Sequence, residues 1–187
     1  MRSLIVSEFM SLDGVVEAPG GEQTHPHAGW TMAYGTDDLY LFKLNETMEA
    51  ESLLLGRITY ESFAAAWAPR DGAFAGKMNA MPKHVVTSTL PELTWNSTPL
   101  RGDVVEEVTK LKDGDGGPIL VAGSATLVRT LLAERLVDEL RLIVYPVTIG
   151  GGLRIFPEDR SRLDLTLTDL VRYDSGAILL TYRMETS

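Results

Sequence analysis

The chain contains no cysteine, which removes disulfides, thiolate metal ligands and a cysteine nucleophile together. Histidine is scarce: there are three, with His25 and His27 two positions apart and His84 far beyond them. No third ligand stands at a metal-site spacing from that pair, so no metal is expected. Basic residues are outnumbered, 17 Lys and Arg against 26 Asp and Glu, for a net charge of −9. A chain this acidic lacks the basic face that holds nucleic acid. It can still bind an anionic small molecule through a few local cations and helix N-termini. No apolar run reaches roughly eighteen residues, so no membrane span is expected. The opening MRSLIVSEF has a single arginine and too short an apolar run for a signal peptide. A cytoplasmic protein is the expectation. Hydrophobic content of 44% over 187 residues supports one domain, 1–187, with a full core.

The most informative stretch is ILVAGSATLVRTLL, Ile119 to Leu132. Its four opening apolar residues suit a strand buried on both faces. Gly123 breaks the run, Ser124 stands where it can cap a helix, and Leu127, Val128, Leu131 and Leu132 form that helix's apolar stripe. A strand ending in glycine and turning into a helix aims free N–H groups and the positive end of the dipole at one spot. That spot suits a phosphate, although a tight turn with a simple cap satisfies the same residues. The pattern recurs in SLLLGRITYESF: strand Ser52 to Leu55, Gly56, then a helix from about Thr59. Two such units suggest two helix N-termini facing one ligand, the alternative being an ordinary α/β turn used twice.

Around these units the chain reads as an alternation of strands and helices. Leu4 to Phe9 is a strand, left at the Asp13-Gly14 turn signal. Glu17 to Gly35 is a long aperiodic loop, which its Trp30, Met32 and Tyr34 predict to be ordered. Thr36 can cap a helix from Asp37, on which Leu41, Leu44 and Met48 fall on one face. Phe74 to Met81 is helical and Pro82 ends it. Lys83 to Leu90 is a strand whose end carries the hydroxyls of Thr87 and Ser88, and Leu93 to Trp95 can form another short one. Asp103 with Glu106 or Glu107 resembles a capping box, and Val104, Val108 and Leu111 mark that helix's buried face. After Leu132 only strands follow: Val137 to Pro146, Leu163 to Leu167 and Ala177 to Met184. Between the first two, Gly150 to Gly152 needs unusual backbone angles or close approach for structural reasons. The order predicts an α/β fold, a mostly parallel sheet with antiparallel strands added at its C-terminal end.

In sequence, LLLGRITYESF, KHVVTST and ILVAGSATLVRTLL resemble the dihydrofolate reductase superfamily. SLDGVV and VDELRLIVYPVTIGGGLRIF are closer to the reductase domain of the bifunctional riboflavin-biosynthesis deaminase–reductase. The resemblance implies a three-layer dihydrofolate reductase-like fold with helices on both faces, and NADPH as cofactor. Carried over by position, Gly56, Arg57 and Thr59 would meet the cofactor's phosphates. Thr87 and Ser88 would lie near its 2′-phosphate, and Gly123, Ser124, Ala125, Thr126 and Leu127 under its diphosphate. Asp13 and Trp30 would border the substrate. DLYLFK, Asp38 to Lys43, resembles the helix that carries the pterin-binding carboxylate, which makes Asp38 the catalytic candidate. Counting back from Gly56, the family spacing falls on Tyr40, and a first-turn aspartate serving the helix dipole is the alternative for Asp38. The implied activity is hydride transfer from NADPH to a small heterocyclic or sugar-derived substrate, most like 5-amino-6-(5-phosphoribosylamino)uracil reductase. Dihydrofolate reduction and a non-catalytic nucleotide-binding module are the alternatives. The zinc-binding cysteine and histidine motif of the deaminase half does not occur in these 187 residues. The domains it resembles associate in pairs, so a homodimer is expected.

Overall fold

Described by the computed structural model are residues 1–156 and 162–184. Their eight strands form one sheet: β1 (Leu4–Ser11), β2 (Ser52–Gly56), β3 (Lys83–Val86), β4 (Ser97–Leu100), β5 (Ile119–Val121), β6 (Glu139–Tyr145), β7 (Leu165–Arg172) and β8 (Ile178–Met184), in the order β4-β3-β2-β5-β1-β6-β8-β7. Every pairing from β4 to β6 is parallel, and β8 and β7 are added antiparallel. The continuous apolar runs take the centre, as a strand covered on both faces requires: β2 and β5 are buried at every residue.

Five helices cover the sheet: α1 (Asp37–Glu49), α2 (Arg57–Trp67), α3 (Ala73–Ala80), α4 (Val104–Asp113) and α5 (Ala125–Ala133). Strand alternation sorts them into two layers. Val108 of α4 and Leu127, Val128, Leu131 and Leu132 of α5 pack with Leu4, Val6, Ile119 and Val121. On the other face, Tyr60 of α2 and Met78 of α3 pack with Ile5, Leu53, Leu55 and Leu120. Leu39 and Phe42 of α1 pack there too, with Phe9, Ile143, Tyr145 and Trp30. The result is the three-layer α/β architecture expected from the alternation of elements. No helix among the described residues is long and apolar enough to cross a membrane.

Four local expectations need correction. The strand near Leu93 to Trp95 lies instead at Ser97–Leu100, because Trp95 and Asn96 take φ of 56° and 52° and turn the chain. The β3 strand stops at Val86, leaving Thr87 and Ser88 beyond its end. Ser124 and Thr36 occupy N-cap positions but make no side-chain cap bond, whereas Asp103 caps α4 by accepting from the N–H groups of Val105 and Glu106 at 3.0 and 3.1 Å. The stripe expected on α1 is turned around: Leu41 and Met48 are exposed, while Glu46 and Thr47 are buried.

Candidate active site

The ends of β2 and β5 meet. The N–H of Gly56 donates to the carbonyl of Gly123 at 3.3 Å, and the turns are too close for side chains. A Cβ on Gly56 would stand 2.3 Å from Ser124 Oγ, and one on Gly123 2.9 Å from Thr59 Oγ1. Gly123 also has φ +94°, a conformation that side chains disfavour. The two strand–glycine–helix units therefore bring the N-termini of α2 and α5 together, neither with a side-chain cap. Their first-turn N–H groups and dipoles form a cradle for an anion. Of the residues expected beneath the ligand, Ala125 and Leu127 are core side chains and can offer only backbone, while Thr126 is exposed and Thr59 half-buried.

Arg57 opens α2 and also borders a cleft of about 300 Å³ beyond the ends of β3 and β4. Thr87 and Ser88 line this cleft as well, so Arg57 is brought together with the two hydroxyl residues expected near the 2′-phosphate. Thr87 Oγ1 accepts from the N–H groups of Thr89 and Leu90, at 3.3 and 3.2 Å, and holds the turn. Ser88 is exposed. Arg57 pairs with Glu61 at 2.8 Å across one helical turn. The cleft also holds Arg101, which the sequence reading missed. Its guanidinium is oriented by the carbonyls of Leu90 and Pro91, at 2.5 and 3.1 Å. Misplacing β4 hid it, since Arg101 follows that strand as Arg57 follows β2.

On the substrate side, the three expected residues have other surroundings. Asp38 is exposed, on the first turn of α1, and its carboxylate accepts from the N–H of Leu39 at 2.8 Å. The Thr36 hydroxyl holds it below its ordinary range. Asp38 is thus a solvent-exposed first-turn carboxylate rather than one buried against the sheet. Asp13 clasps two loops together, accepting from Ser11 Oγ at 2.6 Å and from the N–H groups of Ile149 and Gly150 at 3.2 and 2.8 Å. The Ser11 bond leads in pulling its pKa down to about 2. Trp30 is buried, its ring edge-on to Tyr145 at 5.5 Å and its Nε1 donating to the Glu17 carbonyl at 2.8 Å. It orders the long loop. Gly152 serves the same junction, since a Cβ there would meet Val15 at 2.7 Å.

The inward face of α1 instead carries Lys43 and Glu46. Lys43 Nζ donates to Ser7 Oγ at 3.0 Å and to Glu46, and stands 5.3 Å from the centre of the Phe9 ring. Arg141 of β6 reaches Glu46 at 3.2 Å and Glu139 at 2.6 Å. Along this face of β1, Ile5 joins one apolar cluster and Phe9 another. Ser7 and its charged partners separate them. Val6 pairs with Val121, so this polar island lies one step along the strand toward the Gly123 turn. Burial works to raise the Glu46 pKa, but the charges of Lys43 and Arg141 outweigh it and hold the group below its ordinary value. An apolar-stripe reading of α1 cannot find such a face; the i,i+3 pair Lys43–Glu46 was the signal available. Among the described residues, no group of three or more histidines and carboxylates is arranged to hold a metal ion.

The profile of the family described as the RibD C-terminal domain matches residues 2–179. An uncharacterized protein of Bacillus subtilis, YyaP, is 26% identical over 186 residues, covering 97% of this chain and 94% of that one. Among solved structures, a putative riboflavin biosynthesis protein from Shewanella sp. PV-4 superposes with a TM-score of 0.76 at 19% identity, over 99% of this chain and all of the other. Dihydrofolate reductase from Enterococcus faecalis, complexed with NADP(H), gives 0.65 at 18% identity over 98% and 97% of the two chains. The Thermotoga maritima diaminohydroxyphosphoribosylaminopyrimidine deaminase/5-amino-6-(5-phosphoribosylamino)uracil reductase gives 0.66 at 14% identity, over 98% of this chain and 56% of that one. At these identities the superpositions establish a shared fold, the dihydrofolate reductase-like one.

Proposed function

The chain belongs to the RibD C-terminal domain family, and from that premise we propose that it is an NADPH-dependent reductase of a small carbonyl- or imine-bearing substrate. The observation that carries this reading is the continuity between the glycine cradle and the cationic cleft, with Arg57 belonging to both. The donor set fits a dinucleotide phosphate. First-turn N–H groups of α2 and α5 suit its diphosphate, and Arg57, Arg101 and Ser88 suit its 2′-phosphate. When bound, NADPH supplies the hydride.

On the substrate side, Lys43 is the group that holds a proton for the reduced atom, at Nζ. Glu46 and Arg141 fix its position, and the packed Trp30 and Tyr145 exclude water. This island pairs its charges and carries no isolated carboxylate. That disfavours dihydrofolate, whose recognition was expected from Asp38, and leaves 5-amino-6-(5-phosphoribosylamino)uracil as the preferred substrate. NADPH fluorescence titration, followed by NADPH absorbance with each substrate in turn, tests the reading. Binding with turnover of the aminouracil is expected. Brisk turnover of dihydrofolate alone would reverse the substrate preference, and binding without any turnover would favour a nucleotide-binding module. No binding of NADPH or NADH at millimolar concentration would end both readings.

The protein functions as a homodimer in this proposal, supported by the edge strand β7. Leu167, Leu170 and Val171 on it, and Ile178 beside it, are large apolar side chains left exposed, on a sheet edge that natural proteins rarely leave uncovered. Light scattering is expected to give twice the chain mass, and Leu170→Lys to shift it toward the monomer. A monomeric parent protein at micromolar concentration counts against the pairing.

A further inference from the structure

One buried acid is left unused by the function proposed above. Glu8 lies inside β1, registered against Leu142 of β6. It is 8% exposed, and its Oε1 is closed off from solvent without a hydrogen-bond partner. Val6 pairs with Val121, so Glu8, two residues on, stands level with the Gly123 turn, whose backbone N–H acts on its carboxyl. Gly123 is the turn whose positive φ and contact with Thr59 shape the cradle between α2 and α5, so Glu8 stands directly behind that cradle. Few charges oppose it. Lys43 of α1 is the charged group that acts on it, and that ammonium is already held by Ser7 and Glu46. Arg141, next to Leu142 on β6, is engaged by Glu46 and Glu139. On the β5 side Glu8 lies level with the Gly123 turn, and α5 packs the apolar Leu127, Val128 and Leu131 on this face of the sheet.

We propose that Glu8 is a proton-binding site coupled to the nucleotide site, so that the chain takes up its dinucleotide together with a proton held on Glu8. The inference rests on the reading of the Gly123 turn as part of the diphosphate cradle. A neutral carboxyl there adds no charge. An ionised one sets a negative charge behind the N–H groups that face the diphosphate, and competes for the Gly123 N–H itself. Both effects act in one direction. Burial raises the Glu8 carboxyl to about 8. The acid is therefore neutral below that value and ionised above it, and nucleotide affinity is complete on the acid side and falls on the alkaline side. By linkage, the bound nucleotide strengthens proton binding at Glu8 to the same degree.

The test is the dissociation constant of NADPH, by fluorescence, from about pH 7 to about pH 9.5, a range above the titration of a phosphate monoester near about 6. The unmodified protein is expected to weaken above pH 8 by up to about tenfold per pH unit, the limit for one linked proton. Glu8→Gln and Glu8→Leu are expected to flatten that decline. Lys83, pushed down to about 8 by burial at the start of β3, titrates in the same window but contributes equally to parent and variants. Calorimetry in buffers of different ionisation enthalpy gives a second readout: proton uptake on binding in the parent, reduced in Glu8→Gln. Parallel pH profiles for parent and variants, or equal uptake, would overturn the coupling while leaving the reductase reading intact. Failure of the parent to bind NADPH at about pH 7 overturns the reductase reading, and the coupling with it.

Discussion

Replacing both cleft cations, Arg57→Ala with Arg101→Ala, should weaken NADPH binding by two to four orders of magnitude and leave NADH within a few-fold. Each guanidinium offers charged hydrogen bonds to a phosphate, worth about 1.5–3 kcal/mol apiece, and two together give about 3–6 kcal/mol. Arg57→Ala alone should cost ten- to a hundredfold by the same measure. The Arg57–Glu61 pair does not compete strongly, since both side chains are nearly half exposed, at 42% and 45%. Such an i,i+4 pair contributes about 0.3–0.5 kcal/mol, so the guanidinium is released cheaply toward a phosphate. Fluorescence titration of both nucleotides decides the matter. Equal losses for NADPH and NADH would detach the cleft from the 2′-phosphate, and no loss for either would mean that the cations lie elsewhere.

Glu46→Ala is expected to destabilise the fold by about 3–5 kcal/mol, the range for breaking a buried ion pair from one side. Its side chain is 1% exposed and bridges Lys43 and Arg141, so removing it leaves Lys43 with the neutral Ser7 hydroxyl and Arg141 with Glu139. Replacing Lys43 and Glu46 together by Met and Leu should recover part of that stability but not turnover. Asp38→Asn, on the exposed first turn of the same helix, should leave turnover unchanged. The pH dependence has a fixed sign. The folded-state pKa of Glu46 is depressed, so its contribution is complete above the unfolded value of about 4.3. It is lost as pH falls through the lower, folded value. Urea unfolding at about pH 7 and at acid pH measures this. A parent that loses no stability in acid, or a Glu46→Ala protein as stable as the parent, would show that the island contributes nothing.

These two sites were unequally legible in the sequence. Gly56 and Gly123 announced themselves because glycine after a buried strand and before a helix has few uses, and the structure brings both turns together. The β4 strand was hidden by Pro99, which argues against a strand except at a sheet edge, and the edge is where β4 lies. That error carried Arg101 away with it. The α1 helix misled differently. Its apolar residues pointed to Leu41, Leu44 and Met48, but its inward face holds charges whose partners, Ser7 and Arg141, come from two distant strands. Local periodicity reports how a helix meets an apolar surface and is silent where the surface is polar. Glu8 was equally hidden, since a single acid in a strand reads as an outward-facing residue until both faces of the sheet are covered.

The place of β1 in the sheet has a consequence for synthesis. Leu4 pairs with Ile119 and Ile5 with Glu139, partners more than a hundred residues further along the chain. At ordinary translation speeds they leave the ribosome roughly 5–30 s after β1 does. During that interval the segment LIVSEFMS has an apolar face and neither neighbour, which is the state that chaperones recognise and aggregates recruit. Early halves of the sheet can gather around β2 and β3 while the nascent chain is still growing. The central seam closes only after β5 and β6 have emerged, and the Gly123 turn behind Glu8 can take its final form only when it does. Nascent chains arrested before Tyr145 should therefore stay sensitive to protease throughout β1, however long they are held.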